Sequence, residues 1–382
     1  MQYASLGELG VMVLDCEHRT PSPAPAGHPY VAIPDIQQGR VVLETTRRIT
    51  DEDLLDWTRR TKPRAGDILV TRRGRVGDTA PIPTDDCAIG QNLVILRSDG
   101  TVIDQSFLRW ATRGPAWQSE VDRLINVGAV FSSLNVGDIG KMRIPVLPLP
   151  EQQAIAEVLG ALDDKIAANR ALVATADDLA TAIYRRESST TAPLSSLAKF
   201  VNGRNFTKDA SGTGRAVIRI AELNSGIGDS TVFNDVGALP QNVAGPGDIL
   251  FAWSGSLTLK RWTAEEGLVN QHIFKVIPNS DVPQWLVYQA IRHALPDFKA
   301  IAADKATTMG HIQRHHLDAK VPIPTTSQTV PLDPLMGGLW QMALAAEVES
   351  ATLAALRDTL LPALMNGTLR VKDAERTVSE AL

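Results

Sequence analysis

The sequence predicts an α+β protein: two small mixed α/β domains separated by a pair of long antiparallel coiled-coil helices, with a pseudo-two-fold internal repeat. Three observations predict it. Short phrases recur in the same order in both halves: GDIL at 66–69 returns at 247–250, and RIPVLPLP at 143–150 returns as KVPIP at 320–324. Weaker matches keep that order, Leu6 and Leu9 with Leu194 and Leu197, and Gln91 with Gln271. The offsets drift from 188 (Leu6 to Leu194) through 181 (Gly66 to Gly247) to 177 (Pro145 to Pro322), as duplicated halves with unequal loops would. Finally, each proline phrase leads into an alanine- and leucine-rich stretch with helical spacing. Two repeats are too few for a solenoid.

In chain order the expected segments are a first domain over 1–148, a central helix over 149–190, a second domain over 191–328, a C-terminal helix over 329–370 and a tail over 371–382. The domains contain short β-like runs (67–71, 92–97, 216–220, 248–253 and 272–277) separated by Gly, Pro, Asn and Asp. Helical signals within them cover 51–60, 107–125 and 283–298.

The central helix places Ile155, Leu159, Leu162, Ile166, Val173, Ala176, Ala180 and Ile183 on one stripe, with Asn169 in the slot between Ile166 and Val173. The C-terminal helix repeats this with Leu335, Leu339, Met342, Ala346, Leu353, Leu356 and Leu360, and Glu349 fills the matching slot. A period of 3.5 residues held for roughly four heptads is the coiled-coil signal, and each helix is the natural partner of the other. The polar slots would either fix register or sit at a splayed, solvated point of the seam. Pro148 and Pro150 mark one start and Pro331 and Pro334 the other. ESSTT at 187–191 and Asn366-Gly367 mark the ends. A helix of ~37 residues would be ~55 Å long, a spacer between the domains.

Composition bounds the function. With 44% hydrophobic and 21% charged residues, a chain of 382 can build real cores. Cys16 and Cys87 lack metal-ligand spacing and suit a reducing compartment. The N-terminus MQYASLGELG has no signal-peptide pattern, and no apolar run approaches the ~20 residues of a membrane span. A soluble cytoplasmic protein, with no membrane partner, is expected. The net charge of −5 excludes a histone-like polycation. The acidic excess lies on the helices, with 4 basic and 7 acidic residues over 151–191 and again over 329–382. The two domains are near neutral, their cations bunched.

The densest bunch is Arg59, Arg60, Lys62, Arg64, Arg72, Arg73 and Arg75. TRRGRVG puts three of these arginines on a glycine-punctuated turn after the run 67–71, where guanidiniums could clamp phosphate or read guanine. A solvated charged loop would look the same. The equivalent turn of the second half reads WSGSLTLKRW, with Trp253, Ser254, Lys260, Arg261 and Trp262. That mixture fits a polar, anionic partner, and equally a tryptophan packed in a core. GQN at 90–92 and NQH at 270–272 follow the two turns at matching places. Amides there could read adenine edges or simply form turns. The candidate DNA-binding set is Arg72, Arg73, Arg75, Gln91, Asn92, Trp253, Ser254, Lys260, Arg261, Gln271 and His272.

RIPVLPLPEQQAIAEVLGALDDKI at 143–166 resembles the central region of specificity subunits of type I restriction-modification systems. GDILFAWSGS, NQHIFKV and TTMGHIQRHHLDAKVPIP resemble that family's target-recognition domains, and LAALRDTLLPALMNGTLRV at 353–371 resembles its C-terminal helix. The likeness covers essentially the whole chain; its most specific phrase is PLPEQQ. The second junction departs from it, reading TTSQTVPLDPL. TRRGRVG also departs from the aromatic-Ser-Gly turn of the second domain. The resemblance implies a subunit without catalysis of its own, whose two target-recognition domains each read half of a bipartite double-stranded DNA target. The helices would set the spacing and dock methyltransferase (M) subunits, and a motor-nuclease (R) subunit would join them. The chain itself would need no cofactor: S-adenosylmethionine, ATP and Mg would belong to the partner subunits.

No adenine-methyltransferase tetrapeptide, glycine-rich cofactor loop or GxxxxGK[ST] is present in the sequence. Asp163, Asp164 and Lys165 imitate a nuclease triad only on paper, because adjacent helical residues point in different directions. His311, His315, His316 and Asp318 could suggest a metal, but a structural or DNA-facing role is the simpler reading. Rival functions are a coiled-coil scaffold with protein-binding ends and a stand-alone DNA-modifying enzyme.

Overall fold

The computed structural model describes residues 2–127, 132–304 and 310–382. They form two compact units, Met1–Asp164 with Ala355–Leu382, and Lys165–Ala354. Each unit holds one α/β domain and a stretch of both long helices.

In the first unit a four-stranded antiparallel sheet runs in the order Val11–Asp15, Leu93–Ser98, Ile68–Thr71, Thr79–Pro81. Its central strands, ILVT and LVIL, are buried at every position, so they read as continuous apolar runs instead of alternating. One face packs on a smaller sheet of Arg47–Ile49, His28–Val31 and Ala88–Ile89, where Leu69 and Ile95 meet Val31, Ile82 and Ile89. A ribbon of Gln2–Ser5 with Arg143–Val146 leads into the first long helix.

The second unit repeats the main sheet, the ribbon and the core of the smaller sheet, to which it adds Val243–Ala244 beside Gly267–Val269. Ala198–Asn202, Ile273–Pro278, Ile249–Ala252 and Leu259–Arg261 form the main sheet. Arg215–Ile218 is flanked by Phe233–Asn234 and Gly267–Val269, and Thr190–Pro193 pairs with Lys320–Ile323. Even the parallel pair recurs: Val31 opposes Ile89 as Ile218 opposes Val269. The duplication is therefore carried by the hydrogen-bond ladders, where sequence identity is sparse.

The helical run expected over 107–125 is two helices, Gln105–Ala111 and Pro115–Leu124. Pro115 has no N–H to donate and cannot continue a helix, so it starts a new one. Its counterpart in the second half is one helix, Gln284–Asp304, which carries Pro296 in its interior.

The long helices are Leu149–Glu187 and Thr326–Met365, followed by a short helix, Val371–Ala381, in the expected tail. The second begins earlier than its prolines suggested, so Pro331 and Pro334 lie inside it. The diverged TTSQ caps it instead: the N–H of Thr325 donates to Gln328 Oε1 at 2.9 Å, and the N–H of Thr329 donates back to the Thr325 carbonyl at 2.8 Å. Gly367, at φ +73°, supplies the left-handed stop.

Within the second unit the helices run antiparallel. Ser189, just past the end of one, bonds Gln328 at the start of the other, while further in Asn169 donates to Glu349 at 2.6 Å. The two polar slots thus face each other, with Lys165 also 3.5 Å from Glu349, and Asn169 is buried in the seam and not splayed into solvent. The stripe on the second helix needs one correction. Leu335 and Met342 are exposed, and in that first half of the helix Met336, Trp340, Ala343 and Ala346 are buried instead, while Leu353 and Leu360 of the expected stripe are buried further on. The helix is rotated because it also packs on its α/β domain: Trp340 meets Tyr288 edge to face at 5.1 Å.

Candidate nucleic-acid interface

The arginine-rich turn leaves the buried strand Ile68–Thr71 and returns on the edge strand Thr79–Pro81. Its tightness comes from glycine. Gly77 has φ +86°, and a Cβ there would meet Val121 at 2.5 Å. Three backbone contacts hold the turn's first residues. The N–H of Arg72 donates to the Asn92 carbonyl at 2.9 Å, the N–H of Leu134 donates to the Arg72 carbonyl at 3.0 Å, and Arg73 bridges Ser133.

The second turn is held the same way. The N–H of Trp253 donates to the His272 carbonyl, the N–H of Ile312 donates to the Trp253 carbonyl, both at 3.0 Å, and Ser254 bridges His311. These contacts fix the equivalences residue by residue: Arg72 with Trp253, Arg73 with Ser254, Asn92 with His272, and Gln91 with Gln271.

The candidate side chains fare differently. Arg72 is half-buried, its Nε donating to the Leu134 carbonyl at 3.1 Å, with Asp15 nearby. Arg75 is exposed but anchored to the carbonyls of Ile33 and Ile36 and to Asp78 at 3.0 Å. Arg73 is exposed, and among the described residues its guanidinium has no side-chain partner. Gln91 and Gln271 are both exposed, and Asn92 is half-buried.

In the second turn Trp253 is partly packed. Its ring lies 6.0 Å from Phe274 in the core and 5.1 Å from exposed His272, and its Nε1 donates to Asn202 at 2.8 Å. His272 adopts φ +79°, a left-handed conformation uncommon outside glycine and a mark of functional turns. Ser254 is buried, whereas Lys260 is exposed on the edge strand.

Arg261 does not belong with them. It pairs with Ile249 at the far end of the hairpin, equivalent to Pro81 in the first domain. Its side chain is 1% exposed, with Nη2 at 2.9 Å from Asp177 and Nε at 2.8 Å from Glu347. Burial would lower its pKa, but the bonds to Glu347 and Asp177 outweigh that and hold it firmly protonated. It is committed to the long helices and is not free to meet phosphate. The neighbouring cation that sequence reading missed is Arg204, exposed, its carbonyl accepting the Gln271 N–H at 3.0 Å. The only signal for it was VNGRN between two strands.

The other candidate chemistries resolve into structure. Asp163 is enclosed by Arg109, Arg113 and Arg357, while Lys165 faces Glu349. His316 Nδ1 accepts the Gln313 N–H at 2.9 Å, and Asp318 accepts from Ser195 at 2.6 Å. Thr307, Thr308 and Met309 of the resembling segment lie outside the described residues. One trio, Asp15, Cys16 and His18, does bring ligand atoms within 4.8 Å of one another. Burial, then Asp15, pushes the Cys16 thiol up to about 11, and Arg60 stands 3.3 Å from the Asp15 carboxylate. A protonated thiol beside a guanidinium is a poor cation site. No helix among the described residues is long and apolar enough to cross a membrane.

Comparison with known proteins bears on this geometry. Residues 23–175 match the family model described as the type I restriction modification DNA specificity domain. A curated relative, a putative type I restriction enzyme MjaX specificity subunit from Methanocaldococcus jannaschii, is 34% identical over 104 residues, 27% of this chain. The match spans 24%, about a quarter, of that relative's own length. Among solved structures, the type-I restriction-modification system S subunit from M. genitalium superposes with a TM-score of 0.56 at 16% identity. It covers 95% of this chain and 96% of its own, a likeness of fold.

Proposed function

We propose that the chain belongs to the type I restriction-modification specificity family and is the DNA-specificity subunit of a type I complex. Each recognition domain reads one half of a bipartite duplex target. The observation that carries this is the pair of turns: the same backbone contacts hold both, yet one carries arginines and the other a partly packed Trp253, a buried Ser254 and, across from it, exposed His272. One scaffold with two side-chain sets suits two different half-sites.

The long helices fix the spacing and dock methyltransferase subunits. Leu172, Leu179, Leu335 and Met342 are exposed on them beside the acidic excess, and exposed apolar positions of this kind suit a protein partner rather than phosphate. Catalysis lies elsewhere. Methyltransferase subunits bring S-adenosylmethionine, and a motor-nuclease subunit brings ATP and Mg, for which this sequence carries no binding motif. The domains are near neutral, so the partners supply part of the positive surface that a duplex requires.

Methylation sequencing of host DNA, with and without this gene, tests the reading. Loss of one split adenine-methylated motif is expected, and it would reveal both half-sites. An unchanged methylome, with the partner methyltransferase expressed, would overturn the proposal in favour of a protein scaffold.

A further inference from the structure

Arg73 and Ser254 occupy one and the same place in the two turns. Each follows a residue whose N–H and carbonyl are both bonded across the turn, and each forms a bridge with the segment that closes its domain, Ser133 in one case and His311 in the other. Their side chains differ in reach as well as chemistry. Arg73 is exposed, whereas Ser254 is 6% exposed.

Of the three arginines on the first turn, two are held by the protein itself. Arg72 is tied to the Leu134 carbonyl and lies beside Asp15, and Arg75 to the carbonyls of Ile33 and Ile36 and to Asp78. Of the three, only Arg73 has a guanidinium without a partner among the described residues, on a backbone position that those contacts keep still. A fixed backbone under a free, planar, five-donor fork is what bidentate recognition of an acceptor pair needs. In the major groove only guanine offers two acceptors, O6 and N7, on one base edge.

We propose that Arg73 is a specificity-determining residue that reads a guanine in the half-site of the first domain, and that the buried Ser254 leaves no arginine contact at the equivalent position of the other half-site. This rests on the two domains being half-site readers. It goes further by naming one base and one residue, and by predicting that the half-sites differ at corresponding positions.

The test uses the full chain co-purified with its methyltransferase partner, incubated with duplexes randomised across both half-sites. Bound sequences are counted for wild type, Arg73→Ala and Arg73→Lys at several salt concentrations. Arg73→Ala is expected to erase a guanine preference at one position of one half-site. The affinity for that base should fall by about 5- to 150-fold, the span of one bidentate pair, with the other half-site unchanged. Arg73→Lys keeps the charge and loses the fork, so it should lose the preference and keep the salt slope.

A different pattern would overturn the assignment while leaving half-site reading intact: weaker binding to every sequence with a shallower salt slope in Arg73→Ala, rescued by Arg73→Lys. That is the signature of a phosphate clamp. Unchanged binding in both variants would overturn it too. Wild-type complex with no sequence preference at all would instead remove the proposed function on which the inference stands. Both variants should melt as wild type, since the side chain is exposed.

Discussion

The two units solve one packing problem with opposite charges. Both bring polar groups of the α/β domain against the long helices and bury them, but the signs are reversed. In the first unit one carboxylate, Asp163, lies among Arg109, Arg113 and Arg357. In the second, one guanidinium, Arg261, lies between Asp177 and Glu347, sandwiched by Tyr288 and Trp340 at 4.9 and 5.0 Å. Duplication preserved the strand ladders and one ionic contact: Gln105 and Gln284 bond the carbonyls of Gly66 and Gly247 alike, which makes Arg113, 3.8 Å from Asp163, equivalent to Arg292, 3.5 Å from Asp177. The other contacts diverged, so what the fold requires at this junction is a polar knot and not one fixed set of residues.

Among the described residues each knot leaves two buried nitrogens without a hydrogen-bond partner, Arg109 Nε and Arg113 Nη1 in the first unit and Arg292 Nη1 and Trp340 Nε1 in the second. Burial together with the nearby Arg357 pushes the Arg113 pKa down to about 10. The first knot gathers three cations about one anion, so the largest effect is expected from removing that anion. Asp163→Ala should destabilise the first unit by about 4–5 kcal/mol, at the upper end for a broken buried pair, because three cations then face one another. Arg261→Ala should cost the second unit somewhat less, about 3–4 kcal/mol, since its two carboxylates retain partial access to water. Denaturant unfolding followed by hydrogen exchange in each unit would check both. Equal losses, or a loss in the wrong unit, would break the comparison.

A smaller effect is expected at the helix seam. Asn169 is buried and donates to Glu349, so Asn169→Ala removes that bond and leaves Lys165, 3.5 Å away, beside the carboxylate. A loss of about 1–2 kcal/mol is expected, the usual cost of orphaning one charged hydrogen-bond partner. If the pair fixes register, Asn169→Leu should keep or raise stability while broadening amide exchange along both helices.

Legibility in the sequence follows the range of the interaction. The Asn169 and Glu349 slots were readable because a 3.5-residue period exposes any interruption, and Gly367 because a helix stop is local. The paired turns were readable because GDIL precedes each. Arg261 was not: its partners lie 84 and 86 positions away, and beside Lys260 and Trp262 it looked like one more surface cation. Leu335 and Met342 were misplaced for a related reason, since periodicity finds an apolar stripe but cannot tell that Trp340 is claimed by Tyr288. Recognition chemistry was half visible. Position gave the turns, but only the contacts separated committed Arg72 and Arg75 from uncommitted Arg73.

The last expected effect separates the units by pH. In the first, His28 sits between two carboxylates, its Nε2 at 2.6 Å from Asp51 and its Nδ1 against Asp86. The bond to Asp51, joined by Asp86, raises its pKa above the ordinary histidine value despite some desolvation. A group whose folded pKa is raised contributes fully below its unfolded value, ~6.5, and that contribution fades as pH rises through the folded value. At the equivalent place the second unit carries Arg215 and no histidine: His28 opposes Ile49 as Arg215 opposes Asn234. Melting of the first unit should therefore weaken modestly between about pH 6 and 8 while the second holds level. His28→Gln should flatten that slope without touching the second unit. The effect is small because Asp51 and Asp86 are largely exposed and screened. A slope that survives His28→Gln would place the pH sensitivity elsewhere and leave the two domains electrostatically closer than their turns suggest.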